Sequence, residues 1–279
     1  MSIPEFLYTV ILSPPPLRRL ANLLLCSIIP PTKNLLGATV ALNKNDPVVS
    51  GAIALGLYEC NEMAFFTRNF QPGMTFLDVG ANIGLYTALA ISRQASTILS
   101  IEPHPESFQV LKKTIQLNPS PATIHAIQAA AGHTNGQATL HCNPQNKGDN
   151  RLAPDSILNQ PTPTPLRTLD SLCQQHHINQ IHFLKLDVQG AEGLVLQGAT
   201  QILAQSPRCI IITEFWPKGL LACGTAPDDF LANLASPKRR IFELRDHTLR
   251  PANLRNLTAK TPGRHYRTLI ASHPDAILL

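Results

Sequence analysis

The chain has 279 residues, of which 44% are apolar, 15% charged and 5% aromatic, with 24 prolines and a formal charge of +5. An ordinary apolar fraction with little net charge excludes a disordered chain, and the length suits one large α/β unit. The six cysteines (Cys26, Cys60, Cys142, Cys173, Cys209 and Cys223) are far apart with no C-x-x-C pair. That spacing argues against a zinc site and fits reduced thiols in a cytoplasmic protein.

Residues 1–72 carry a mainly helical pattern and are expected to form a cap. Within them, residues 20–32 are thirteen uncharged residues ending in Pro30-Pro31. A membrane span needs roughly 20 apolar residues, so this stretch suits a packed amphipathic helix or a membrane-surface contact instead. A domain over 73–279 follows, alternating short apolar runs with helical patterns, the sign of a parallel sheet covered on both faces.

Residues 75–80 read as a strand entering a glycine turn, 85–93 as a helix, and 97–101 as a strand ending at Glu102. Pro105 opens a helix with Phe108, Leu111 and Ile115 on one face. Residues 124–130 are a third strand. An insertion near 132–168 is expected to hold a hairpin and a flexible loop studded with Pro161, Pro163 and Pro165. A helix then starts at Thr168 or Asp170, either of which can cap it. Residues 181–186 form a strand ending at Asp187, 191–204 one helix, and 209–213 a strand ending at Glu214. A helix at 227–235 and strands at 240–245 and 267–271 close the domain.

The strongest local signal is Asp78-Val-Gly80-Ala-Asn82-Ile-Gly84, after a strand and opening a helix. Glycines there let the backbone approach a ligand closely. Glu102, at the end of the next strand, can accept hydrogen bonds from both hydroxyls of a ribose. A dinucleotide site would read G-x-G-x-x-G. Here the spacing differs and Asp78 would repel a pyrophosphate, whereas it suits the cationic end of S-adenosylmethionine (SAM). Gly80, Asn82 and Gly84 would shape the turn around the methionine part, and Asp78 would stand near its ammonium. The backbone of Pro103 and His104 would flank the adenine, with Ala130-Ala131 small enough for the cofactor to lie across.

Lys185, Asp187 and Glu192 form a second polar group at the mouth of the fourth strand, where substrates meet cofactors in open sheets. Methyl transfer to oxygen needs an aligned acceptor and removal of its proton. Asp187 is the first candidate for that task and Glu192 the next, though a glutamate in a first helical turn also complements the dipole. Lys185 shares the side of the strand that Asp187 occupies. Asp149-Asn150-Arg151 reads as a substrate lid or a solvated turn. Glu214 and Trp216 could line an acceptor pocket, the indole face suiting a sugar ring. Asp187, Glu192 and Glu214 are too scattered to indicate a metal.

Four ordered motifs carry a resemblance: Leu77-Asp-Val-Gly-Ala-Asn-Ile-Gly84, Ile101-Glu-Pro-His-Pro105, Leu169-Asp-Ser-Leu172, and Leu184-Lys-Leu-Asp-Val-Gln-Gly-Ala-Glu192 followed by Leu196-Gln-Gly-Ala199. Over roughly residues 46–216 the chain resembles the FkbM-type SAM-dependent methyltransferases. The segment 46–59, with Gly56-Leu-Tyr-Glu59, also resembles what precedes the first motif there. The resemblance implies a Rossmann-like class I fold with a mostly parallel, seven-stranded sheet, and O-methylation of a sugar, glycan or natural-product hydroxyl. Gln189 departs from the family pattern, where an acidic residue is frequent.

A nucleic-acid methyltransferase is the first alternative, but the fourth strand lacks the N/D-P-P-Y/F-type platform that stacks a base, so no nucleic-acid partner is expected. A non-catalytic SAM-fold interaction module is the second, and the complete SAM motif argues against it. Residues 237–268 hold nine basic and two acidic residues, leaving the rest of the chain at −2. That segment is a contact for an anionic acceptor or a membrane surface, or a solvated face.

Overall fold

A computed structural model describes residues 22, 25–143, 146–154, 160–235, 238–263 and 265–276. The domain's first strand, β3 (Thr75–Val79), is followed by helix α3 (Leu85–Ser92), β4 (Thr97–Ile101), α4 (Pro105–Gln116) and β5 (Thr123–Ile127). Further on lie β9 (Phe183–Leu186), β10 (Ile210–Phe215), β11 (Arg240–Arg245), β12 (Thr248–Pro251) and β13 (Arg267–Ser272). These strands form one sheet in the order β12-β11-β13-β10-β9-β3-β4-β5, parallel from β5 to β10 and antiparallel beyond. The sheet thus has eight strands where seven were expected. The addition is β12, which folds back on β11 as an edge strand.

The chain runs outward from β3 through β4 to β5, then returns to place β9 on the other side of β3. The order therefore reverses between β3 and β9, where doubly wound sheets open a crevice at the strands' carboxyl ends. Alternation along the strands sends residues to two cores. Leu77, Val79, Leu184 and Leu186 join one core; Phe76 and Phe183 join the other. Phe66 lies at the centre of the second, with ring centroids 5.1 Å from Phe76 and 5.0 Å from Phe183.

Phe66 belongs to α2 (Cys60–Asn69), so the segment before the domain shares the sheet's core. Among its described residues that segment is not purely helical. It contains the hairpin β1 (Thr32–Leu35) and β2 (Ala38–Ala41), then α1 (Val49–Leu55) and α2. Ala41 N–H donates to Thr114 Oγ1 (3.1 Å) and Thr39 N–H to Asn118 Oδ1 (2.9 Å), which fastens the hairpin to α4 and the turn after it. Of the expected helix at 20–32, residues 25–28 are helical, and residues 20, 21, 23 and 24 lie outside the described residues, as do residues 1–19 of the cap.

The insertion forms a second sheet of β6 (Ala130–Ala131), β7 (Gly136–Cys142) and β8 (Gln160–Arg167), in the order β6-β8-β7. Pro161, Pro163 and Pro165 stand in β8, not in a flexible loop. They occupy alternate positions and are exposed, while Thr162 and Thr164 between them are covered. Proline has no N–H, so it is tolerated where the backbone N–H points away from the partner strand, and alternation gives all three prolines that position.

After α5 (Leu169–Gln175), the single helix expected over 191–204 is two, α6 (Glu192–Gln197) and α7 (Thr200–Gln205). The Asp170 carboxylate accepts from Gln201 N–H (3.0 Å) and Ile202 N–H (2.9 Å), starting a new helix there. The Gly198 carbonyl is taken by Asp170 N–H at the junction. Thr168 caps α5 by accepting from Ser171 N–H. After β10 follow α8 (Pro217–Ala222), α9 (Pro227–Ala235) and, between β12 and β13, α10 (Leu254–Leu257). Among the described residues no helix is long and apolar enough to cross a membrane.

Candidate active site

A cavity of about 440 Å³ opens at the carboxyl ends of β3, β4, β9 and β10. Of the expected cofactor residues, Asp78, Gly80, Asn82, Glu102, Pro103 and Ala130 line it, as do Lys185 and Asp187 from the expected catalytic group. Gly84, His104 and Glu192 do not line it.

The loop after β3 is folded tightly on itself. Gly80 (φ 81°) packs so closely under β9 that a Cβ there would stand 1.8 Å from the Asp187 carbonyl oxygen. Gly84 (φ 87°) starts α3 against Leu111, which a Cβ would meet at 2.7 Å. The Gly80 and Ala81 N–H groups both donate to the Ile101 carbonyl, and Gly84 N–H donates to Ala81. Asn82 N–H donates to Glu102 Oε2 (2.8 Å), with Asn82 at φ 50°. All four amides are thus used within the protein.

Glu102 is clamped on its other oxygen by His104 N–H (2.8 Å). Burial pushes its carboxyl up to about 7, against the pull of those two N–H groups. His104 itself caps α4, its Nδ1 accepting from Ser107 N–H, so it serves the turn. Asp78 is 1% exposed, accepts from Thr87 Oγ1 (2.6 Å), and is raised by burial to about 6.

On the other wall, Lys185 pairs with Asp78 in the β3–β9 register and points away from Leu184 and Leu186. Its ammonium lies 3.2 Å from Asp187 Oδ2, 3.6 Å from Glu59 Oε2 and 5.0 Å from the centre of the Tyr86 ring. Burial opposes this charge, but Asp187, Glu59 and Glu214 outweigh it and hold the lysine's pKa above its ordinary value. Tyr86 Oη donates to Glu59 Oε2 (2.6 Å). On the far side of Asp187, Gln189 Nε2 donates to Asp187 Oδ1 (2.8 Å) and to Glu214 Oε2 (3.4 Å). Burial and the nearby Asp187 raise Glu214 well above the usual carboxyl range.

Glu192, expected as a second candidate base, lies beneath this wall, 1% exposed. It accepts from Val188 N–H (3.1 Å) and Gly190 N–H (3.0 Å), fixing the turn that carries Asp187 and Gln189, and burial lifts it to about 7. Glu214 and Trp216 both line the cavity, and the indole is packed by its neighbours. The Arg151 guanidinium lies 4.6 Å from the centre of its ring, and Gly219 packs so near the six-membered ring that a Cβ would touch it at 2.1 Å. Arg151 in turn pairs with Asp149 (2.6 Å), so this triad forms part of the cavity wall.

Sequence reasoning missed Tyr58, Tyr86 and Tyr266 as lining residues, and gave Glu59 and Gln189 no role. The basic segment is also only partly a surface. Arg239 is 5% exposed and donates to the Leu203 and Ser206 carbonyls, and Arg267 pairs with Glu243. Among the described residues no group of three His, Cys, Asp or Glu side chains is arranged to hold a metal ion.

The sequence matches the methyltransferase FkbM domain over residues 78–232. It is 25% identical to methyltransferase sdnD of Sordaria araneosa over 183 residues, covering 54% of this chain and 70% of that protein. It is 28% identical to methyltransferase 1 of Beauveria bassiana over 150 residues, covering 46% of this chain and 59% of that one. Among solved structures, an FkbM methyltransferase from Methylobacillus flagellatus aligns with a TM-score of 0.47 at 15% identity, covering 91% of this chain and 59% of that chain. A Streptococcus mutans protein solved in complex with SAH aligns at 0.43 and 10% identity, covering 76% and 95% respectively. With the domain match spanning more than half its length, the chain belongs to the FkbM methyltransferase family.

Proposed function

We propose that this protein transfers the methyl group of SAM to a hydroxyl of a sugar, a glycan or a natural product. SAM is the methyl donor of the family, and the residues lining the cavity fit it. The observation that carries this reading is the spent loop: the Gly80, Ala81, Asn82 and Gly84 amides are bonded internally, while Asp78 and Glu102 line the cavity. A phosphate group needs free N–H donors at such a loop. This one presents buried carboxylates instead, which suit an ammonium and ribose hydroxyls. Each Glu102 oxygen accepts one N–H and keeps a lone pair for a hydroxyl.

Bound there, SAM supplies a methyl group that its sulfonium activates toward a nucleophilic oxygen. Asp187 then has the task of orienting the acceptor hydroxyl and taking its proton. Its carbonyl oxygen abuts Gly80 and its carboxylate reaches the same cavity, so it stands where the two halves of the site join. Lys185 keeps a positive charge beside that carboxylate, and Tyr58, Tyr86 and Tyr266 wall the acceptor side.

Methyl-labelled SAM offered with neutral sugars and hydroxylated natural products tests this. Label is expected as a methyl ether on one of them. In Asp187→Asn, SAM affinity is expected to stay within about threefold while transfer falls roughly 100-fold, the typical worth of a general base. Label on an amine or a nucleic acid would overturn the hydroxyl assignment, and full turnover in the variant would remove Asp187 from the reaction.

A further inference from the structure

Lys185 stands between two carboxylates of the cavity wall and is hydrogen-bonded to one of them. Its ammonium meets Asp187 Oδ2 at 3.2 Å, its one hydrogen bond among the described residues. Glu59 Oε2, on the other side, lies at 3.6 Å, within ion-pair reach but too long for a hydrogen bond. Lys185 is 4% exposed, so bulk solvent does not take up the donors left over. A polar gap of this length is the place of a bridging oxygen. A hydroxyl suits it, because it accepts from the ammonium and donates to the carboxylate at once. An amine there would meet the Lys185 charge and be repelled.

Glu59 is held firmly in this position. It stands ahead of α2 at φ 42°, a value that non-glycine residues seldom adopt, and its carbonyl accepts from Met63 N–H. Tyr86 Oη donates to Oε2 at 2.6 Å, and the carboxylate keeps lone pairs beyond that bond. Glu59, Lys185 and Asp187 all line the cavity. Glu59 lies before residue 78, outside the stretch that matches the FkbM domain, so the segment ahead of that stretch brings it to the shared site.

We propose that the acceptor is a vicinal diol: Asp187 serves the hydroxyl that is methylated, while Lys185 and Glu59 hold its neighbour. The two places adjoin through one ammonium, so the hydroxyls that fill them sit on neighbouring atoms of the acceptor. An acceptor with a single hydroxyl leaves the gap between Lys185 and Glu59 to water. Glu59 is thus a specificity-determining residue. This inference rests on the methyl-transfer reading and narrows its acceptor.

Methyl-labelled SAM offered with methyl glycosides, and with analogues lacking each hydroxyl in turn, tests it. Removing one hydroxyl adjacent to the methylated position is expected to lower kcat/KM roughly 30-fold in wild type, the scale of a hydrogen bond to charged groups. Removing a distant hydroxyl should change it by less than about threefold. In Glu59→Ala the ratio between parent and adjacent-deoxy analogue should shrink below about fivefold. Glu59→Gln keeps an oxygen for Tyr86 but not the charge, and its ratio should fall between the two. A residue that merely shapes the wall slows parent and analogue alike and leaves the ratio unchanged. Equal use of parent and adjacent-deoxy analogues by wild type, or an unchanged ratio in both variants, would overturn the diol and leave methyl transfer standing. Label on none of the glycosides, with SAM bound, would sink the sugar-hydroxyl reading itself and the diol with it.

Discussion

Glu102 joins two backbone amides, the end of β4 and the cavity in one side chain, and its chemistry sets a pH dependence. Burial raises Glu102 to about 7 and Asp78 to about 6 in the free protein. A folded-state pKa above the unfolded one gives stability that is complete below the unfolded value and lost as pH rises through the folded value. The free protein should therefore melt at a lower temperature at pH 8 than at pH 5.5. A ligand bearing an ammonium and donating hydroxyls favours the ionised carboxylates, so SAM affinity should rise over the same interval. Calorimetric titrations at several pH values check this, and Glu102→Ala should weaken SAM binding by tenfold or more, the scale of one lost charged hydrogen-bond pair. Residues that sit at strand ends beside glycine turns (Asp78, Gly80, Asn82, Glu102, Asp187) were legible in the sequence because a few neighbours fix their position. Glu59 was not, since its left-handed φ of 42° and its reach to Lys185 depend on a fold spanning 126 positions.

At the scale of elements, the strands of the parallel core were readable because buried strands are short apolar runs with glycine turns between them. Two departures share one cause: a side chain from elsewhere in the chain decides the local structure. Apolar periodicity runs through residues 191–204 without a break, and only the Asp170 carboxylate, more than twenty residues earlier, splits it into α6 and α7. Asp170→Ala should therefore cost about 1 kcal/mol of stability, as for other lost helix caps, and urea unfolding measures it. An unchanged midpoint would mean that packing alone divides the helices. The prolines of β8 misled for a local reason, because their alternate spacing, which permits a strand, weighs less in a local reading than their number. The β1–β2 hairpin depends on its bonds to Thr114 and Asn118, which no local pattern announces.

Across the whole molecule, the reversal of strand order between β3 and β9 gathers residues from separate stretches around one cavity, and α1, the turn after it (Leu57, Tyr58 and Glu59) and the second sheet complete its walls. Composition pointed to a distinct basic segment, yet in the fold Arg239 and Arg267 brace α7 and β13, so part of that charge is structural. The sign of the cavity matters more than the net charge of the chain: its cofactor end presents Asp78 and Glu102 and withholds its loop amides. Calorimetry with SAM, NAD and ATP, each titrated separately into the full chain at pH 7.5, tests that claim most directly. Saturable SAM binding, on the order of micromolar, is expected, with no heat from NAD or ATP. Binding of NAD or ATP with none of SAM would contradict it.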